Sequence, residues 1–181
     1  MTAFEFVSVL LSIVVSLAFT HILTGAARLI QAKRVRFSLV YVLWMVLIVF
    51  SCVDYWVSVW GLREVTEWPL TLVLFMLSAA TVLYLVSWLV VPAEINDGID
   101  LVAFHDDNRR KYAGAFCIYM LFGAVANSFI QGFQSAVLLS FAFAGLAAVA
   151  WIWRGVWVQR LAIGALYVAF VYYCATYISH L

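Results

Sequence analysis

The sequence predicts an all-α, polytopic integral membrane protein built as a bundle of six transmembrane helices. The first observation is composition: 67% of the 181 residues are apolar and only 10% are charged, whereas a soluble domain carries about 25% charged residues. The second is that the apolar residues form long runs, and a helix needs about 20 of them to cross a hydrocarbon core of about 30 Å. The third is that the basic residues cluster in alternate connections between these runs.

This composition excludes several classes of protein. The few charged side chains could not cover so large an apolar core in water, which excludes a soluble enzyme and a nucleic-acid binder. The high hydropathy also excludes a disordered chain. We therefore expect one transmembrane domain over residues 1–181, with the lipid bilayer as its first partner and with no nucleic acid bound.

Six apolar runs define the predicted spans. Long runs in lipid are expected to be helical because a helix satisfies its own backbone hydrogen bonds, and these runs lack the alternation of a membrane barrel. Pro69 is expected to open the third span, and Pro92 to end it. The predicted spans lie near residues 4–27, 38–61, 69–91, 112–131, 135–153 and 161–179.

The basic residues predict the orientation. Nine of the ten Lys and Arg residues lie in 28–37, 92–111 and 154–160, whereas the other connections contain only Arg63. The positive-inside rule then places these three segments in the cytoplasm and both termini outside, in a plasma membrane of the bacterial inner-membrane type. The first span lacks a basic leader and a small-residue cleavage site, so we expect a retained helix rather than a signal peptide.

The longest connection, 92–111, is acidic in its first part and basic at its end. A solvated surface is the interpretation that such a run of charges favours, with a brief interfacial helix through Ile99, Val102 and Phe104 as an addition. His105, Asp106 and Asp107 are consecutive, so on a helix they point in different directions. We therefore expect no metal site here.

The first span carries a row of small hydroxylated residues at a spacing of four. Residues four apart share one helix face and drift slowly around it. Small residues at this spacing let two helices approach closely, so we predict a helix-packing row, with a polar wall for water or an ion as the alternative. The row consists of Ser8, Ser12, Ser16, Thr20 and Thr24.

Asp54 is the residue of the second span that most needs an explanation. A carboxylate inside a membrane is costly and by default marks a functional site. Other spans place polar side chains at a similar predicted depth, so the cluster is either a hydrogen-bonded tie within the bundle or a functional pocket. The pore or polar-cluster candidates are Glu5, His21, Asp54, Asn127, Gln131, Tyr173, Tyr177 and His180.

Within that set, His21 is predicted to lie toward the inner half of the first span, away from the others. A structural hydrogen bond and a proton relay are both open for it, since its ordinary pKa near neutrality suits the relay.

The sequence lacks the constellations of several membrane chemistries. His21 and His180 are predicted near opposite faces, so they could not ligate one haem. The motifs G-x-S-x-G and T-V-G-Y-G are absent, which argues against a serine hydrolase elbow and a potassium filter. The three cysteines are single and apolar in their surroundings. We expect no cofactor, no metal and no catalytic residue.

Two functions remain in contention. The first is a small channel or transporter for a cation or a proton, with Asp54 and Glu5 at its outer vestibule. The second is a non-catalytic subunit or scaffold that assembles with itself or with another membrane protein. A lipid- or quinone-binding enzyme is a third class, for which the sequence offers no catalytic constellation.

The predicted topology is testable by labelling. Cysteines introduced at Glu64 and at Gln131 should react with a membrane-impermeant thiol reagent in intact cells, because both positions are predicted outside. A cysteine introduced at Asp97 should not react until the cells are permeabilised. The reverse pattern would contradict the six-span topology.

Overall fold

A computed structural model describes residues 2–131 and 135–178, with side chains at 2–129 and 137–176. This part of the chain forms six α-helices followed by one π-helical turn, which confirms the predicted all-helical bundle. Five of the helices are long and apolar enough to cross a membrane, and the described apolar part of the remaining one, Val137–Ile152, is shorter. The helices are α1 (Ala3–Gln31), α2 (Leu39–Trp60), α3 (Leu70–Val90), α4 (Leu101–Gln131), α5 (Ser135–Ile152) and α6 (Val156–Tyr173), and the π-helical turn is Cys174–Ile178.

Helix α2 lies at the centre of the bundle. It contacts α1, α3, α4 and α6, whereas α1 contacts only α2 and α3 among the described helices. Helices α4 and α5 form an antiparallel hairpin with the most extensive contact in the bundle. Because α2 faces four neighbours, its buried residues include bulky aromatic ones such as Tyr41, Trp44 and Tyr55.

Contacts between helices show that successive helices alternate in direction. His21 of α1 stacks on Trp88 of α3, and Phe4 of α1 meets Trp68 just before α3, so α1 and α3 run in the same direction. The bundle therefore has two ends. The Trp60 end contains the start of α1 and the end of α2, and the Arg36 end contains the connections before α2 and before α4.

Two helices begin earlier than predicted. Helix α4 begins at Leu101 rather than near residue 112, and α6 begins at Val156 rather than near residue 161. Charged residues lie within these added turns, because a helix continues readily beyond the apolar layer wherever its charged side chains meet water. The predicted brief interfacial helix is thus the first part of α4 itself.

Among the ionisable residues of 92–111, the prediction of a solvated surface is wrong for two. His105 is 5% exposed and Arg109 is 2% exposed, whereas Asp106, Asp107 and Arg110 are exposed as expected. On a helix these residues separate onto two faces. The face with His105 and Arg109 packs into the bundle, and the charged neighbours face outward.

The two connections at the Arg36 end are joined by hydrogen bonds. The Gly98 N–H donates to the Lys33 carbonyl at 2.8 Å, and the Leu101 N–H donates to the Arg36 carbonyl at 3.0 Å. Arg36 also forms a salt bridge of 2.9 Å with Asp100. Asp97 accepts from the Lys33 N–H at 2.9 Å. The acidic part of the long connection therefore holds the preceding connection in place instead of being free in solvent.

Asp100 also begins helix α4. Its Oδ1 accepts hydrogen bonds from the backbone N–H groups of Val102 and Ala103, at 2.9 and 3.1 Å. These are donors at a helix start that lack a partner within the helix. The Ala103 N–H is the largest cause of a pKa of Asp100 below its ordinary value, and Arg36 lowers that pKa further.

The hydroxylated row of α1 does not form a seam within the chain. Ser16, Thr20 and Thr24 are exposed, and Ser8 and Ser12 are only partly covered. The face of α1 that packs against α2 and α3 is instead apolar. Its buried residues are Val7, Leu11, Val15, Ala18, Ile22, Gly25 and Leu29. A packing role for the row therefore requires a second chain, and it stays a prediction.

Gly25 is the point of closest approach between α1 and the end of α3. A Cβ built at Gly25 would lie 2.6 Å from a methyl carbon of Val91. Val91 is itself buried, so it has little room to move. Glycine is required here by the space between the elements rather than by backbone conformation.

The variant Gly25→Ala should destabilise the bundle, because the added methyl group overpacks the contact with Val91. Overpacking commonly costs about 1–3 kcal/mol. The expected result is a lower unfolding temperature for the purified protein in detergent. Gly164→Ala is the matched control, since a Cβ there meets nothing within 4 Å. Equal unfolding temperatures for the two variants would contradict the close packing.

The charge of Asp100 should stabilise the fold above pH 4 and lose this effect in acid. Because its pKa is lowered on folding, the contribution is complete above the ordinary pKa of about 4 and disappears as pH falls through the lowered folded value. Asp100→Asn retains a side chain that caps helices but lacks the charge. The unfolding temperature of the wild type should exceed that of Asp100→Asn at pH 7, and the gap should close below about pH 4. A gap independent of pH would contradict this account.

Candidate functional site: a carboxylate in an aromatic chamber

A cavity of about 360 Å³ lies between α2, α3, α4, α5 and α6, in the half of the bundle nearer the Trp60 end. We call it the Asp54 chamber, after the carboxylate that lines it. Its walls are mainly apolar and include eight aromatic side chains, because these helices turn large apolar side chains toward each other. The aromatic residues of the wall are Tyr55, Phe75, Phe116, Tyr119, Phe122, Phe143, Phe170 and Tyr173.

Asp54 is held by a hydrogen-bonded neighbour on another helix. The hydroxyl of Tyr173, on α6, bonds the Asp54 carboxylate, and Ser58 bonds the same tyrosine hydroxyl. Ser58 lies four residues after Asp54, so the two share one face of α2. The Oδ1 atom of Asp54 is shielded from solvent and has no hydrogen-bond partner within the described part of the chain.

The other polar groups of the chamber are tied to each other or to the backbone. The side-chain amide of Asn127 donates to the Ser140 hydroxyl at 2.9 Å, which links α4 to α5. The Ser51 hydroxyl donates to the Leu47 carbonyl at 2.9 Å, and the Tyr119 hydroxyl donates to the Ser51 carbonyl at 3.3 Å. Asp54 is the one carboxylate among the described residues that line the chamber.

Packed side chains lie between the chamber and the Arg36 end. Leu47 and Phe116 line the chamber and are almost completely buried. Behind them, Trp44 packs edge-on against Phe116 and Tyr112, with ring centroids 5.6 and 5.5 Å apart. These residues close the chamber toward the Arg36 end in this conformation.

The predicted polar cluster comes together only in part. Asp54, Asn127 and Tyr173 all line the chamber. Glu5 lies elsewhere: it is exposed at the start of α1, where it accepts from the Thr2 N–H at 2.9 Å as part of a helix cap. The side chains of Gln131 and Tyr177, and all of His180, lie outside the described residues.

His21 belongs to a different contact. Its ring stacks on Trp88, with centroids 4.2 Å apart and an interplanar angle of 17°. Its Nε2 is buried without a hydrogen-bond partner in the described part of the chain. Helix α1 contributes no residue to the wall of the Asp54 chamber among those described, so His21 and the chamber are separate features.

Ser140 and Tyr119 are chamber residues that the sequence analysis missed. Ser140 was detectable, because the break between the predicted spans near 112–131 and 135–153 lies about midway between residues 127 and 140. Asn127 and Ser140 should then meet across the hairpin, as they do at 2.9 Å. Tyr119 carried no such signal, since one tyrosine in an apolar run gives no indication of its partner.

A second buried polar cluster lies at the Arg36 end, where α5 ends. Arg109 Nη1 donates to the carbonyls of Ala150 and Trp153, at 2.9 and 3.0 Å. Gln159 Nε2 donates to the same two carbonyls, at 2.7 and 2.6 Å. The last carbonyls of a helix lack partners within it and carry partial negative charge. Arg109 and Gln159 therefore cap α5 and fasten it to α4 and α6.

His105 lies one helical turn before Arg109, and its Nδ1 hydrogen-bonds the Tyr112 hydroxyl. The charge pattern of the sequence favours a solvated position for His105 and Arg109, and nothing in it points to a role for Gln159. A spacing of four along α4 was the available signal for the first two, since it puts them on one helix face.

The groups that line the Asp54 chamber suit the binding of a cation. A carboxylate with aromatic neighbours attracts cations through its charge and through the negative faces of the rings. The described residues contain no group of three or more His, Cys, Asp or Glu side chains placed to hold a metal ion.

Comparison with known proteins adds no assignment. No protein-family model, no curated protein and no solved structure matches this chain.

Proposed function

We propose that this membrane protein is a transporter for a cation or a proton, and that Asp54 is the residue that binds it. We further propose that it lies in a bacterial inner membrane with both termini outside, so that the Asp54 chamber is in the outer half. The observation that carries the proposal is an intramembrane carboxylate at the wall of a cavity, without a basic partner in the described part of the chain.

The cost of burying Asp54 supports this proposal. Removing a carboxylate from water is expensive unless it is neutralised, paired or hydrogen-bonded. Tyr173 supplies one hydrogen bond, but it supplies no positive charge. A bound cation or a proton would neutralise the carboxylate, which makes Asp54 suited to take up a positive charge and release it.

The packing between the chamber and the Arg36 end favours a transporter over an open channel. Trp44 and Phe116 lie between the chamber and the Arg36 end, and both are completely buried. A channel needs a continuous polar path, whereas a transporter exposes its site to one side at a time. Passage toward the Arg36 end would therefore require these side chains to move.

A non-catalytic subunit or scaffold is the second candidate. The exposed hydroxylated side chains of Ser16 and Thr20, on the outward face of α1, favour it, since small residues suit close contact with another membrane helix. The partner would be a second copy of this chain or another membrane protein.

The variant Asp54→Asn tests the transport proposal. It nearly preserves the shape and removes the charge, so it should lower cation flux into reconstituted vesicles at least about tenfold, as for the loss of a buried charge partner. Flux of H⁺, Na⁺, K⁺ and a labelled organic ammonium ion would each be measured under an imposed gradient. Glu64→Gln is the matched control, because Glu64 is exposed in the connection between α2 and α3.

Two outcomes would contradict transport through this site. One is full flux in Asp54→Asn, and the other is no flux of any of these cations in the wild type. In the second case, a membrane-protein partner that co-purifies in fixed stoichiometry would support the subunit function instead.

A further inference from the structure

We propose that the ligand of the Asp54 chamber is an organic ammonium ion with an apolar body, rather than a bare metal ion or a proton. The inference rests on the proposed function, in which the Asp54 chamber is the cation-binding site. It names the chemical class that the walls of the chamber would recognise.

The size of the chamber argues for an organic ligand. Its volume is about 360 Å³, within the range of about 300–1,000 Å³ that is typical of small-molecule sites. A proton needs no such space. A bare cation would leave most of the chamber to be filled by something else.

The ligand set argues against a metal ion. Hard cations such as Ca²⁺ take about 6–8 oxygen ligands at close range. The lining offers one carboxylate, and the hydroxyls of Ser51 and Tyr119 are already engaged with backbone carbonyls. An ammonium group needs fewer and more weakly directed contacts, which one carboxylate supplies together with aromatic faces.

The aromatic wall matches an apolar body. Phe75 and Phe122 meet at 5.2 Å between ring centroids, and Phe170 lies on the side of the chamber formed by α6. Rings on several helices provide both apolar surface and negative ring faces. A neutral lipid chain would use the apolar surface but would leave the Asp54 carboxylate without a counter-charge.

The carboxylate has one oxygen available for the ammonium group. Tyr173 bonds the carboxylate, while Oδ1 has no partner in the described part of the chain. Oδ1 is shielded from solvent, but the terminal torsion of aspartate is soft and roughly two-fold. A modest rotation would present an oxygen to an N–H donor while Tyr173 holds the other.

Binding of 2-phenylethylammonium to the purified full-length protein tests the inference, with 2-phenylethanol as the neutral ligand of similar shape. Equilibrium dialysis at pH 7.5 should show that the ammonium binds at least about tenfold more tightly than the alcohol, as expected for a desolvated charge pair. Na⁺ and K⁺ at equal concentration should not displace it. This comparison uses only the wild type, so it does not depend on how any variant folds.

Two variants then locate the ligand. Asp54→Asn should remove the preference for the ammonium over the alcohol. Phe122→Leu should weaken ammonium binding about threefold or more through the loss of a cation–π contact. Phe129→Leu is the control, because Phe129 is 87% exposed and does not line the chamber. Unfolding temperatures would verify that each variant is folded.

The outcomes separate this inference from the transport proposal. Equal binding of ammonium and alcohol, or a preference that survives Asp54→Asn, would overturn the inference. Asp54-dependent flux of H⁺ or K⁺ without ammonium binding would overturn it while leaving transport intact. Asp54-dependent ammonium binding without flux of any cation would support the inference and overturn transport.

Discussion

A polar group inside a hydrocarbon layer finds no water, so each hydroxyl or amide there must find its partner in the protein. Tyrosines meet this demand in a recurring way, by donating to a backbone carbonyl of another helix. Tyr41 bonds Val90 at 3.1 Å, and Tyr55 bonds Met76 at 2.7 Å, both between α2 and α3. Tyr167 ties α6 to α2 in the same way, at 2.8 Å. The positions of α3 and α6 beside α2 therefore depend on such bonds together with apolar packing.

The chamber follows from this arrangement. Because α2 is central, the face that carries Asp54 is turned toward other helices, and its hydrogen-bond partner comes from one of them. Tyr173 of α6 provides that partner, while large rings from the surrounding helices meet without filling the space between them. The result is a carboxylate that is positioned by hydrogen bonds and has no basic partner among the described residues. Such a group favours whatever positive charge enters the space.

The sequence was sufficient to predict the six helices, because span length and apolar composition depend on the membrane alone. It was also sufficient to predict a similar depth for Asp54, Asn127 and Tyr173, because depth follows from position along a helix. It could not predict which helix faces which neighbour. The outward direction of Ser16, the separate position of Glu5 and the burial of Arg109 all depend on helix rotation, which is decided by side-chain packing. Hydropathy carries little information about rotation when nearly every face is apolar.

Helix α1 lies at the edge of the bundle, where it contacts α2 and α3 and no other described helix. The walls of the chamber come from the other five helices. A change in the tilt of α1 would therefore not displace the residues that line the chamber directly. It would act on the end of α3 through the contact between Gly25 and Val91, and on the connection before α4 through the hydrogen bond to Lys33. A membrane protein that binds the outward face of α1 would therefore act on the bundle from its edge. It would not contact the ligand in the Asp54 chamber.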